Sequence, residues 1–304
     1  MPHRLTRSPL CRLLNLTACA ACAFLTALSA HGANESTLRC APSGALYDYR
    51  WALLKLALDH TRPTGSPYQI DQVDSSRTTQ SRLMAMMQAG ALDVMALPPN
   101  PEREANMRPI RVDILRGMLG YRVLLIRKSD AAWFQRLQPV DLKGKIKLGF
   151  NSQWADLAIL QANGFQVVAS PGYEGLFAML DARRFDAFPR GLNEFSKELT
   201  QYGSRYPELA VDKTYAFFTP YPVYFWVRRG NEALARQIEN GLNLALRDGS
   251  FKKLFIQYHQ QEIGLLKREN RRVLFLNNPM LPRQGADQDY SWWLPKSVKI
   301  ERLP

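Results

Sequence analysis

IKLGFNSQWADLAILQANGFQVVASPGYEGLFAMLDARRFDAF, residues 146–188, decides the fold. Its first five residues are an apolar, strand-like run. A helical pattern over 154–162 follows and is stopped by Asn163-Gly164, a pair suited to the left-handed turn after a helix. A second strand-like run covers 165–169, a second helix 173–182, and a third strand 185–188. Strand, helix, strand, helix, strand predicts a parallel sheet, because parallel neighbours need a crossover connection. The same order occurs earlier. Residues 38–41 read as a strand, and 47–60 as a helix with Trp51, Leu54 and Leu58 on one face and Pro63 beyond its end. A strand over 68–73 precedes a helix capped by Thr78 or Thr79, which carries Leu83, Met84, Met86 and Met87 and closes at Gly90. A strand over 92–96 completes the unit. Two similar α/β lobes with mixed, mostly parallel sheets are the economical reading. Further on, 223–227 is a strand, Asn231 caps a helix with Leu234, Ile238, Leu242 and Leu246 spaced by four, and Gly249 ends it before another helix from Ser250 to about Tyr258. Residues 263–304, with the pair Trp292-Trp293, read as an irregular extension packed on the lobes.

The N-terminus has another character. Arg4, Arg7 and Arg12 precede an apolar stretch from 13 to 28, and Ala30 and Gly32 stand at the −3 and −1 positions of a small-residue cleavage site. This predicts a secretory signal peptide over 1–32, since the stretch is short of the roughly 20 residues a membrane-spanning helix needs. Leu16-Thr17-Ala18-Cys19 resembles a lipoprotein box, but apolar residues continue past it, so lipid attachment is not expected. Three of the four Cys, Cys11, Cys19 and Cys22, lie in this segment. Cys40 is then alone, and no disulfide framework is expected. The chain of 304 residues carries a net charge of +13; removal of the signal takes away three Arg and no acid, leaving +10. The Lys and Arg are scattered, and export makes nucleic acid an unsuitable partner, so a solvated basic surface or a few cations converging on an anionic ligand remain.

Several short motifs occur in a telling order: Glu102-Arg103, then residues 140–145 (Val-Asp-Leu-Lys-Gly-Lys), Arg184-Phe185-Asp186-Ala187, residues 224–231 (Tyr-Phe-Trp-Val-Arg-Arg-Gly-Asn) and Asp248-Gly249. Over about residues 36–260 this order resembles the family 3 periplasmic solute-binding proteins, the amino-acid receptors of ABC importers. The resemblance implies a type II periplasmic binding fold, with lobe 1 over 33–125 plus 223–262, lobe 2 over 126–222, and two hinge crossings near Leu124 and Val223. It also implies a monomer with a carboxylate-bearing ligand in the cleft, presented to a permease or a membrane sensor, and no cofactor. Arg103 matches the family arginine that grips a ligand carboxylate; as an alternative it pairs with Glu102 or Glu104 at the surface. The turn Asn151-Ser152-Gln153-Trp154 stands where the family offers backbone N–H groups, making Ser152 and Trp154 contacts, with packing the alternative for Trp154. Tyr47 and Tyr49 are expected as pocket walls or as core. One departure is sharp. Where amino-acid receptors place an Asp for the ligand ammonium, this chain has Arg190, with Glu194 four residues on. Two arginines facing an uncharged cleft would repel, which favours a ligand with more than one negative group, unless Glu194 restores an ammonium partner.

Enzyme classes find little support. Beyond residue 32 only His60 and His259 occur, without metal-ligand spacing, and Gly-x-Ser-x-Gly, phosphate-loop and Gly-x-Gly-x-x-Gly motifs are absent. No metal site or catalytic residue is expected. The remaining enzyme route is a binding-protein fold turned dehydratase, with Glu194 or Asp156 as acid or base.

Overall fold

The computed structural model describes residues 37–62, 68–75, 78–281 and 289–303. The expected signal peptide lies outside them. The chain begins β1 (Thr37–Ala41), α1 (Asp48–His60), β2 (Gln69–Gln72), α2 (Gln80–Gln88), β3 (Val94–Leu97), α3 (Pro101–Asn106) and β4 (Met107–Ile110). It continues β5 (Tyr121–Arg127), α4 (Ala131–Arg136), α5 (Leu142–Lys145), β6 (Lys147–Asn151), α6 (Leu157–Ala162), β7 (Gln166–Ser170), α7 (Tyr173–Asp181), β8 (Phe188–Gly191), α8 (Phe195–Tyr202) and β9 (Leu209–Phe218). It ends β10 (Tyr224–Arg228), α9 (Glu232–Asp248), α10 (Ser250–Arg268), β11 (Arg272–Phe275) and β12 (Ile300–Arg302).

Two mixed five-stranded sheets form the two lobes. The first has the order β2-β1-β3-β10-β4, parallel among β2, β1 and β3 and antiparallel where β10 enters. The second has the order β12-β11-β9-β5-β8, antiparallel around β5 and parallel around β11. The parallel pair β6-β7 extends the second lobe, and a bridge from Leu148 to Ala187 joins it to the run leading into β8. The repeated strand and helix order builds the parallel part of the first sheet and, in the second lobe, the β6-β7 pair and the run into β8; the strand expected over 185–188 lies at Phe188–Gly191 and is antiparallel to β5. Helix α2 buries Leu83, Met84 and Met87 against Met95, Leu97, Met107 and Trp226. On α9, Leu234, Ile238 and Leu242 are buried, and the helix sits so close to α1 that a Cβ on Gly241 would lie 1.9 Å from the Ala57 carbonyl oxygen.

Some expectations need correction. Helix α6 starts at Leu157 instead of Trp154, because the Asn151 side chain accepts the Gln153 N–H at 2.8 Å and holds 152–156 in turns. The last helix does not stop near Tyr258. It bends at His259 (φ −114°, ψ 17°) and runs on to Arg268, which carries Leu266 into the core. Nor is the tail wholly irregular, since Arg272–Phe275 pairs in parallel with β9. Leu124 is no crossing point; it lies mid-strand opposite Pro189.

The chain passes between the sheets three times: once where α10 leads into β11, and through residues 111–120 and 219–223, which run side by side. Asp113 ties them together: one carboxylate oxygen accepts the N–H groups of Leu115 and Val223 at 3.0 Å, and the other accepts Gly117 N–H at 2.6 Å. Burial pushes this carboxyl up to about 6, against the pull of those three N–H groups. The Gly120 carbonyl accepts the Thr219 N–H at 3.1 Å, and a Cβ on Gly120 would meet the Thr219 carbonyl oxygen at 1.9 Å. Gly120→Ala is therefore expected to cost about 1–3 kcal/mol by forcing two backbones apart. Urea unfolding checks it: an unchanged midpoint would mean the crossings are not held this closely.

Candidate functional site

Loops at the carboxyl ends of β1, β3, β6 and β7 converge on one cavity of about 810 Å³. This is where α/β sheets commonly place ligands. Positions within 42–50, 78–83 and 97–103 contribute from the first lobe; positions within 151–156, 171–174 and 190–202 contribute from the second.

Arg103 reaches the cavity from α3, whose start is set by Pro101 and by the Asn100 side chain accepting the Arg103 N–H at 2.7 Å. Its guanidinium donates to the Pro98 carbonyl at 2.6 Å and to the Gln80 side-chain oxygen, and its Nε has no partner. It is 2% exposed, so it is not the surface ion pair that was the alternative. Burial pulls its pKa down. Arg50, on α1, is 4% exposed and donates through Nη1 to the Ala96 carbonyl at 2.7 Å; its Nε also lacks a partner. Its guanidinium carbon lies 4.7 Å from the Tyr47 ring centre. Burial lowers its pKa as well.

Arg190 has another environment. Its Nε lies 2.9 Å from both oxygens of Glu198, which is fully buried, and its Nη2 is 2.9 Å from Glu194. The same guanidinium lies 4.5 Å from the centre of the Trp154 ring. Desolvation alone would weaken the charge, but Glu194 and Glu198 raise the pKa well above its usual value. Arg122 forms the second half of the network, pairing with Asp156 and, at 3.4 Å, with Glu194. Glu194 is pulled below the ordinary carboxylate range by Arg190 and Arg122, despite desolvation acting the other way. Burial raises Asp156 in spite of Arg122.

Of the residues singled out from sequence, Arg103, Tyr47, Trp154, Arg190 and Glu194 line the cavity together. Tyr49 and Ser152 do not. Tyr49 is core: its hydroxyl donates to the Ile114 carbonyl at 2.8 Å and its ring meets Phe255 and His259. Ser152 is exposed in the turn after β6, its N–H spent on the Ser170 carbonyl at 3.0 Å. The cleft around Arg190 is not uncharged either, so repulsion between Arg103 and Arg190 is not its governing feature. Sequence reasoning passed over Arg50, Arg122, Gln80 and Tyr221. Arg50 does leave a trace: a cation flanked by Tyr49 and Trp51 in an apolar helix is an unusual core neighbour.

No protein-family model matches the sequence, and no curated protein matches it. Solved structures do. An ancestral arginine-binding protein bound to arginine is 17% identical, with a TM-score of 0.51 over 74% of this chain and 98% of its own. The chain has a type II periplasmic binding fold. An ancestral amino acid-binding protein described as a precursor of cyclohexadienyl dehydratase has 15% identity and a TM-score of 0.53, over 73% of this chain and 95% of its own. A histidine kinase sensor domain with similarity to periplasmic binding proteins has 13% identity and a TM-score of 0.52, over 74% and 96%. Identities this low speak for the type II fold and for nothing finer. Among the described residues, no helix is long and apolar enough to cross a membrane, and no group of His, Cys, Asp or Glu is arranged to hold a metal ion.

Proposed function

We propose that the protein is an exported solute-binding protein that closes its two lobes on a small carboxylate-bearing ligand and delivers it to an ABC importer. The observation that carries this reading is Arg103: a buried guanidinium whose Nε has no partner among the described residues, lining a cavity between two sheets joined by the paired crossings and by the run from α10 into β11. A planar guanidinium suits a carboxylate, and paired crossings suit closure by rotation of one lobe on the other. Export rests on residues 1–32. The likeness to a kinase sensor domain favours a second reading with the same site, a receptor that presents its solute to a membrane sensor. A dehydratase fits less well, because Glu194 is held as a counter-ion to Arg190 and Arg122 and is poorly suited to donating a proton.

Thermal unfolding against amino acids, dicarboxylates and other small carboxylates tests the reading, since a ligand bound only by the folded state raises the melting temperature. Arg103→Ala is expected to weaken any such ligand by about 1.5–3 kcal/mol, roughly ten- to a hundredfold in Kd. A ligand bound equally well by Arg103→Ala would remove Arg103 from the site. Copurification with a permease would favour import; copurification with a kinase would favour sensing.

A further inference from the structure

We infer that the ligand is a small organic dicarboxylate without an ammonium group, held at one end by Arg103 and at the other by Arg50. The inference rests on the solute-binding reading above and follows from an inventory of donors and acceptors around the cavity. Three lining arginines, Arg50, Arg103 and Arg190, each retain one buried guanidinium nitrogen with no hydrogen-bond partner among the described residues. Buried N–H groups of this kind are costly until an acceptor arrives. The carboxylates show the opposite. Glu194 is paired through Oε2 with Arg122 and Arg190, Asp156 is paired with Arg122, and Glu198 beneath them is paired with Arg190 and the Tyr173 hydroxyl. Glu174 is the one lining acid outside this network, and it is exposed and interacts with Tyr202. A ligand ammonium would therefore enter a cavity rich in unsatisfied donors, whose buried carboxylates already have cationic partners in Arg122 and Arg190.

Two anionic poles are called for because two buried arginines lack a carboxylate. Arg50 comes from α1 and Arg103 from α3, and the hydrogen bonds of each go to neutral partners, the Ala96 carbonyl in one case and the Pro98 carbonyl with Gln80 in the other; Glu194 bears on Arg50 only through longer-range charge, without a hydrogen bond or ion pair among the described residues. Lys197, a further lining cation, donates to the Ala45 carbonyl at 2.7 Å. Leu83, Leu97, Leu119 and Tyr221 line the same cavity and suit a short carbon chain between the poles. An uncompensated buried charge is unfavourable, so each guanidinium gains most from an anion of its own.

The test compares three matched probes by thermal shift and calorimetry: glutarate, L-glutamate, which adds only the ammonium, and butyrate, which lacks the second carboxylate. Succinate with L-aspartate and adipate with L-2-aminoadipate extend the series to other lengths. The expected result is that a dicarboxylate binds at least about tenfold more tightly than both its amino counterpart and its monocarboxylate. In Arg50→Gln, the advantage of that dicarboxylate over the monocarboxylate should shrink by about tenfold or more. If Arg50→Gln does not fold by circular dichroism, Arg50→Lys is read in the same way, since it keeps a charge but loses the fork. Tighter binding of the amino acids would overturn the inference and leave the solute-binding reading standing. Equal binding of butyrate and glutarate, or an undiminished advantage in the Arg50 variant, would also overturn it. A protein that binds none of these compounds, nor any other small carboxylate or amino acid, would overturn both.

Discussion

Replacing Arg190 with Ala should lower the unfolding free energy by about 3–5 kcal/mol, the cost of removing one partner from a buried ion network. The size follows from what is left behind. Glu198 is fully buried, and without Arg190 the side-chain donor left to it among the described residues is the Tyr173 hydroxyl at 2.5 Å. Glu194 keeps Arg122, but at 3.4 Å. The Trp154 ring loses the cation that lies against it. The pH dependence of the loss has a definite sign. An uncompensated buried carboxylate binds a proton more readily in the folded state than in the unfolded chain, where the value is about 4.3. A raised folded-state pKa destabilises as pH rises above the unfolded value, so the deficit is greatest near neutral pH and shrinks as pH falls toward about 4. Adding Glu198→Leu to Arg190→Ala should recover part of the loss, giving a coupling of about 1–3 kcal/mol in a double-mutant cycle. Chemical denaturation at neutral and at acidic pH measures all of this. A loss below about 1 kcal/mol at neutral pH would mean that water already reaches the network.

This network also marks where sequence reasoning stops. Arg190, Glu194 and Glu198 are spaced by four, Glu194 just before α8 and Glu198 in its first turn, and that spacing is visible in the chain. Yet Arg190 reads as a replacement for a ligand-binding Asp until the fold shows Glu198 buried beneath it. The elements over 38–96 and 146–182 and the helix α9 were legible because their apolar runs have the right periods and end at Gly, as at Gly90, Gly164 and Gly249, all with positive φ, whereas β4, β5 and β9 were not read from the sequence. Arg103 was legible because its motif is local. Arg50 was not, since a helix pattern gives the buried face but not which end of that face borders a cavity. Tyr49 and Ser152 failed for the same reason: each stands one or two residues from a true lining position, and small rotations of α1 and of the turn after β6 decide which side chain enters. Strand β11 is a four-residue run whose partner β9 lies more than fifty positions earlier, a pairing no local pattern encodes.

That strand belongs to the second large expected effect. Deleting residues 269–304 should lower the melting temperature by more than about 10 °C, whereas deleting 299–304 should change it by only a few degrees. The longer deletion removes Val273, Leu274, Leu276 and Trp293, all 2% exposed or less. At about 1.5–3 kcal/mol for each large side chain taken from water, the total comfortably exceeds 5 kcal/mol before relaxation. It also uncovers the edge of β9 and invites association. The shorter deletion removes β12, whose three residues are all exposed, and the Arg272–Glu301 pair, exposed on both sides and worth little. The contacts of the tail also bear on closure. Trp293 donates to the Arg116 carbonyl at 2.8 Å, and Tyr290 packs so tightly under Gly117 that a Cβ there would lie 2.2 Å from its ring. Asn278 donates to the Pro220 carbonyl at 2.9 Å. Arg116 and Gly117 belong to one crossing and Pro220 to the other, so the tail braces both strands of the hinge while adding a strand to the second sheet. Removing it should soften the crossings as well as the core, seen as faster amide exchange at 111–120 and 219–223 than elsewhere. An unchanged melt after the longer deletion would show that the tail is a surface attachment, and would leave Asp113 and the backbone hydrogen bonds between the crossings to hold them together.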